Sequence, residues 1–282
     1  MSRTAKAAVL ALVTAVAAGC TATPEPTDSE PSHVSAELLQ YRRDQADRVV
    51  EVKLRNDSDK PIDVSRLQLL TPRFTGTAPV APRFTLAPHD TTDVRVPLGD
   101  SACGDITAAA PVVRIWSSDD DTHVDLSASR SDGVLESIRA QECAAKAVAE
   151  AVPMRWDEWR RRREGANRVV AATLHVGPVA GGQSAHILSL EGTTLWSAAA
   201  DALPVDLKAG ETADLPVAFR PQRCDPHAVG ESKRGYAFEV RVALGSQSPD
   251  GAALVTLTPD EAARRVLERT LLETCSITAP SP

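Results

Sequence analysis

Apolar and polar residues alternate along short stretches of this chain instead of recurring every three or four positions. Val50, Val52 and Leu54 alternate with Glu51 and Lys53, and Val94 and Val96 with Asp93 and Arg95. The same rhythm returns in Leu215, Val217 and Phe219, and in Phe238, Val240 and Val242 around Glu239 and Arg241. A period of two marks strands with one buried face. Turn-forming clusters separate them at Asn56–Pro61, Ala87–Asp90, Lys208–Gly210 and Ser248–Gly251. Short strands spaced this way read as a mainly β protein of immunoglobulin-like β-sandwiches. An α+β fold with one larger sheet is the rival reading.

The rhythm changes to helical in two places. Val266, Leu267, Thr270 and Leu271 share a helical face in a segment that runs to Cys275. Thr258 is expected to cap it, with Pro259 at the first helical position and Glu261 completing a capping box. The matching stretch, about Asp132 to Glu142, predicts a shorter helix.

The second half repeats the first. Ala46, Arg48, Val49, Val50 and Leu54 fall on Ala166, Arg168, Val169, Val170 and Leu174 at an offset of 120. Thr91, Asp93, Val96 and Cys103 fall on Thr212, Asp214, Val217 and Cys224 at an offset of 121. Val134, Leu135, Glu136 and Cys143 meet Val266, Leu267, Glu268 and Cys275 at an offset of 132. Matches in chain order with nearly constant offset indicate a duplicated module. The expected organisation is therefore a leader (1–19), a flexible tether (20–37), two β-sandwich domains (38–148 and 149–276), each closed by a helix, and a tail (277–282).

The amino terminus has another character. Arg3 and Lys6 precede an apolar run from Ala7 to Ala18, broken by Thr14 and too short to span a bilayer. Ala17, Ala18 and Gly19 then lead to Cys20, the pattern of a secretory signal with small residues at its cleavage site. Small residues directly before a cysteine resemble the lipobox of bacterial lipoproteins, although that family's usual Leu is Ala17 here. The resemblance implies diacylation of Cys20 and lipid anchoring on the extracytoplasmic face of the cell membrane. Two acyl chains give stable anchoring where one is marginal.

The chain has 31 basic and 38 acidic residues, a formal charge of −7, and loss of Arg3 and Lys6 with the leader makes the remainder more acidic. That balance does not favour nucleic acid as a partner. With Cys20 assigned to lipid, Cys103, Cys143, Cys224 and Cys275 remain, an even set that reads as disulfides in an exported chain. Of three possible pairings the repeat selects Cys103–Cys143 and Cys224–Cys275, one bridge in each copy.

The cysteine spacing is 40 in the first copy and 51 in the second, and the extra length matches Asp225–Gly235. This polar loop, with Asp225, His227, Glu231, Lys233 and Arg234, is the candidate site for a ligand or partner. Asp225, His227 and Glu231 offer oxygen and nitrogen ligands for a divalent metal. They equally suit an ionic lock with Arg223, Lys233 or Arg234, and no metal or other cofactor is assigned. Arg223 to Val229, followed by Glu231, Lys233 and Gly235, resembles a motif of uncharacterised exported lipoproteins of actinobacteria. That resemblance covers mainly the second copy and implies kinship and localisation, with no activity to carry over.

Other clusters have plainer readings. Asp119, Asp120 and Asp121, with Asp125 near, lack the glycine and spacing of an EF-hand and suit an acidic hairpin turn. Arg160–Arg163, with Trp156 and Trp159, suits a strand edge, the tryptophans filling a groove between domains. Nucleophile-elbow, zinc-protease, Ser-x-x-Lys and Walker motifs are missing. The expected function is a non-catalytic, lipid-anchored binding or interaction module with an envelope protein or glycan as partner. An accessory subunit of a membrane transport or signalling complex, and a metal- or ligand-dependent hydrolase, are the alternatives.

Overall fold

The computed structural model describes residues 33–107, 109–117, 123–129, 131–165, 167–231 and 234–276. The leader, Cys20, the tether up to residue 32, Asp119–Asp121, Lys233 and the 277–282 tail lie outside the described residues. The chain is mainly β. Its first half runs β1 (Val34–Leu39), β2 (Val49–Asn56), β3 (Ile62–Val64), β4 (Arg66–Leu70), β5 (Phe74–Thr75), β6 (Phe84–Leu86), β7 (Thr91–Pro97), β8 (Asp100–Ser101), β9 (Val112–Trp116), β10 (His123–Ser129) and α1 (Ser131–Ala151). Its second half runs β11 (Met154–Glu164), β12 (Asn167–Val176), β13 (Ala185–Glu191), β14 (Trp196–Ala199), β15 (Val205–Leu207), β16 (Ala213–Pro221), α2 (Pro226–Glu231), β17 (Phe238–Leu244), β18 (Ala253–Leu257) and α3 (Glu261–Cys275).

The halves share a strand order, and every sheet draws its strands from one half. β1, β2 and β7 pair in succession, as do β11, β12 and β16. β4, β9 and β10 match β13, β17 and β18 in the same way. β3 and β4 together correspond to β13: Ser65 interrupts the first pair where β13 shifts register between Ile187 and Ser189. In the first half a short parallel pairing, Ala36 with Ala128 and Glu37 with Ser129, joins the two sets into one six-stranded sheet. The second half keeps two four-stranded sheets.

Alternation positions the cores. Val50, Val52 and Leu54 are fully buried, as are Val170 and Leu174 at the repeat-equivalent sites. Burying one such side chain contributes about 1.5–3 kcal/mol. Two apolar clusters result, one from Val34 to Leu135 and one from Val148 to Leu271. The register across the sheet departs from the sequence match by two residues. Val50 faces Val96, whereas Val170 faces Phe219 and not Val217. A shift of two leaves the same residues on the core face, so the fold tolerates it.

Several sequence expectations need correction. Residues 34–37, assigned to the tether, belong to β1, where Ala36 and Leu38 are buried. α1 has 21 residues and is longer than α3, because the Ala-rich stretch after Cys143 continues the helix. The expected domain boundary between 148 and 149 therefore falls inside a helix. Asp260, not Thr258, caps α3, accepting from Ala263 N at 2.8 Å. Arg42–Asp44 form a 3-10 turn, while the equivalent arginines of the second half lie on β11, the edge strand of its sheet.

The tryptophans do not fill a groove between halves. A bulge between Asp157 and Arg160, with Glu158 at φ 54, turns both Trp156 and Trp159 inward. They pack on Phe219, with ring centroids at 5.4 and 5.2 Å, within the second core.

The disulfides join Cys103 to Cys143 and Cys224 to Cys275, the pairing that the repeat selects. α1 is the element common to both cores. Its first turns bury Leu135 with Val134 and Ile138 in the first cluster, and its last turns bury Val148 and Ala151 in the second. Cys143 lies between these contacts.

Candidate functional site

Within the Asp225–Gly235 insertion, Pro226–Glu231 form the short helix α2, where the composition suggests a loop. Asp225 caps α2 by accepting from Ala228 N at 2.8 Å, and its carboxylate pairs with Arg223 at 3.0 Å. The Ala228 amide chiefly, with Arg223, holds the Asp225 carboxyl below its usual range despite the opposing effect of burial. Ala228 sits in the second core, and Thr193 Oγ1 donates to Gly235 O at 2.8 Å. The insertion is thus tied down by packing and hydrogen bonds. His227 is exposed, and the side chains of Glu231 and Lys233 lie outside the described ones. Among the described residues no group of three or more His, Cys, Asp or Glu side chains is placed to hold a metal.

Arg234 leads from the insertion to a larger feature. A groove of about 1300 Å³ runs between α1 and the outer face of β17 and β18. α1 supplies one wall, including Ile138, Ala145 and Lys146; Glu239, Arg241, Leu254 and Thr256 supply the other. Gln40, Gln45 and Arg48 border it from the first half. The alternation in β17 explains this wall: Phe238, Val240 and Val242 are spent on the core, so Glu239 and Arg241 face outward.

Most charges of the groove are already matched. Arg48 donates to both oxygens of Glu142, at 2.6 and 2.8 Å, and to Gly99 O at 2.8 Å. Ser101 also donates to Glu142. Burial opposes ionisation of Glu142, but the bonds from Arg48 and Ser101 outweigh it and hold its carboxyl below the usual range. Gly99 must be glycine, since a Cβ there would lie 1.9 Å from Thr75 O. Arg234 pairs with Glu239. Lys146 and Arg241, on opposite walls, have no ion-pair or hydrogen-bond partner among the described residues. Leu254 is 40% exposed, and the only other exposed large hydrophobic among the described residues is Val124.

Beside the groove, the 3-10 turn at Arg42–Asp44 folds over the outer face of β2. It buries Asp44 completely, and Glu51 is 1% exposed. Burial first, then the charge of Asp44, pushes the Glu51 carboxyl up, with Arg95 and Arg43 acting against them. Arg95 approaches Asp44 at 3.0 Å and Arg43 approaches Glu51 at 3.7 Å, but neither Asp44 oxygen nor Glu51 Oε2 makes a hydrogen bond of good geometry. Sequence reasoning missed this pair because the two acids belong to different elements. It also missed the groove, whose walls come from opposite halves.

The basic stretch on β11 is largely neutralised. Arg155 pairs with Asp157, Arg160 with Glu158, Arg161 with Glu273 and Arg162 with Glu164. Asp125 pairs bidentately with Arg114 across the β9–β10 hairpin, at 2.6 and 2.8 Å. Among the described residues no helix is long and apolar enough to cross a membrane.

No family model matches the sequence, and no curated protein does. Solved structures with some likeness include a protein of unknown function from Porphyromonas gingivalis W83, 14% identical over 74% of this chain and 88% of that one, with a TM-score of 0.23. Another is a complex of the CsuC chaperone with the CsuE tip adhesion subunit from Acinetobacter baumannii, 12% identical over 76% of this chain and 93% of that one, with a TM-score of 0.18. A third is the exo-chitosanase CsxA of Amycolatopsis orientalis, 12% identical over 79% of this chain and 26% of that one, with a TM-score of 0.20. At such TM-scores these likenesses carry no argument about fold or function.

Proposed function

We propose that this protein is a non-catalytic binding module, anchored by lipid on Cys20 to the extracytoplasmic face of the cell membrane. In this reading residues 20–32 form the tether and hold two immunoglobulin-like β-sandwiches away from the lipid. Each sandwich has a closing helix and its own disulfide. The shared order of β1, β2, β7 with β4, β9, β10 and of β11, β12, β16 with β13, β17, β18 supports the sandwich reading. The small-residue run before Cys20 supports the anchor.

The observation that carries the binding role is the groove between α1 and β17–β18, with two unmatched cations and an exposed leucine in its walls. An open, partly apolar cleft with a few convergent polar groups is the default place for a ligand. The Asp225–Gly235 segment then serves as a buttress that delivers Arg234 to the groove, with Asp225 as a helix cap. The test is a photoreactive residue at position 254, activated on intact cells. A discrete crosslinked product that disappears when Lys146 and Arg241 are both reversed to Glu supports the reading; no product, or one indifferent to those charges, overturns it.

A further inference from the structure

We propose that the groove receives an extended acidic segment of a partner protein, its carboxylates meeting Lys146 and Arg241 and its aliphatic side chains meeting Leu254. The inference rests on the binding-module reading and names the class of ligand. Three observations converge on it.

The first is size and shape. At about 1300 Å³ the groove exceeds the roughly 300–1,000 Å³ of ordinary small-molecule pockets. It is an open cleft bordered by a helix and a sheet face, which suits a chain segment lying across several residues.

The second is charge. Arg48 is satisfied by Glu142 and Arg234 by Glu239, so these four groups form the neutral frame of the groove. Lys146 and Arg241 are left over, on opposite walls, in a chain of formal charge −7. Two unmatched cations facing one space in an otherwise acidic protein attract carboxylates and repel basic or strongly cationic partners. Asp250 also lines the groove and disfavours a carboxylate beside it, so the acidic residues of the partner sit at Lys146 and Arg241.

The third is the apolar lining. Leu254 stands out of a surface on which large hydrophobics are rarely exposed. Ile138 and Ala145 on α1 add aliphatic surface across from the sheet. The lining carries aliphatic side chains and no aromatic ring on which a sugar face would stack, so peptide side chains fit it better than an anionic glycan does.

The experiment titrates the purified full-length protein with a fluorescent peptide that alternates Glu with Leu and Ala, read by anisotropy. A Lys-for-Glu version of that peptide and a uronic-acid oligosaccharide serve as comparators. The acidic peptide should bind saturably and at least tenfold more tightly than the basic one, with affinity falling as salt rises. K146E/R241E should weaken it at least tenfold and L254S severalfold. The milder K146Q/R241Q, checked for an unchanged melting temperature, guards against misfolding. Binding that is unsaturable, or unaffected by either double variant, overturns the proposal. Tighter binding of the oligosaccharide overturns the peptide class while leaving a binding module in place; failure of the crosslink at position 254 removes both.

Discussion

Replacing Glu51 by Gln should stabilise this protein, although it removes a charged residue with arginines close by. Glu51 is 1% exposed, and its Oε2 has no hydrogen bond. Arg95 and Arg43, the cations that act against the shift, are 51% and 68% exposed, so water screens their attraction, and Asp44 adds like charge from within the fold. Leaving a buried polar group unsatisfied costs about 1–3 kcal/mol. Gln keeps the shape, removes the repulsion and brings an amide donor toward the Asp44 carboxylate. A gain of about 1–2 kcal/mol at neutral pH would raise the melting temperature by roughly 3–6 °C in a chain of this size.

The pH dependence is more diagnostic than the size. Because the folded carboxyl is pushed above 4.5, the folded state binds its proton more tightly than the unfolded chain does. That contribution to stability is fully present in acid and is lost as the pH rises through the folded value. The melting temperatures of the two proteins should therefore meet below about pH 4.5 and separate above it, with Glu51→Gln higher. Thermal melts followed by circular dichroism across that range are sufficient. Parallel curves, or a variant that is less stable at every pH, would refute the account of Glu51.

Other perturbations separate the remaining features. Cys103→Ser with Cys143→Ser opens a loop of sequence separation 40 and should cost about 4 kcal/mol in the chain-entropy model, read by denaturant melts. Glu142→Gln should cost about 1 kcal/mol at neutral pH, a figure reduced because Arg48 is 38% exposed. The Glu142 carboxyl is held below 4.5, so its contribution exists above that value and fades as the pH falls through the folded one; melts of wild type and variant should converge in acid. Leu135→Ala, at about 2–5 kcal/mol, should loosen amide protection first in β2 and β9, whereas Val148→Ala should do so in β12 and β17. Hydrogen exchange showing the same strands loosened by both would deny that α1 serves two cores.

What the sequence revealed was what alternation and repetition encode directly. Val50 and Leu54 of β2 and Val170 and Leu174 of β12 sit where a period of two puts them, fully buried. The cysteine pairing followed from the copies because each bridge links equivalent positions. What stayed hidden depends on residues that come together only in three dimensions. Ala36 is too small to signal a strand, yet it is buried within β1 and pairs with Ala128 of β10. Trp156 and Trp159, three apart, cannot share a face of a regular strand; the bulge at Glu158 makes them do so. Asp44 and Glu51 look like two surface acids until the 3-10 turn closes over β2. Lys146 and Arg241 are far apart in sequence, and alternation shows only that Arg241 points away from the core.

The groove exists because one helix answers to two cores. α3 closes the second half from within that half, its Glu273 holding Arg168 at 2.9 Å. α1 begins in the same role for the first half and then continues into the second, where Val148 and Ala151 are buried. Only Val152 and Pro153 separate it from β11, and neither is free to act as a hinge: Val152 is fully buried and Pro153 O accepts from Gly177 N at 2.8 Å. Farther back, the Cys103 bridge at Cys143 and the Arg48 fork at Glu142 fix the same helix to the first half. The wall that carries Lys146 is thus held from both ends, opposite a face whose sheet belongs to the second half alone. A ligand that touched both walls would contact both halves of the chain at once. Two halves of shared strand order would by themselves present two similar surfaces; the prolonged α1 makes one asymmetric cleft of them.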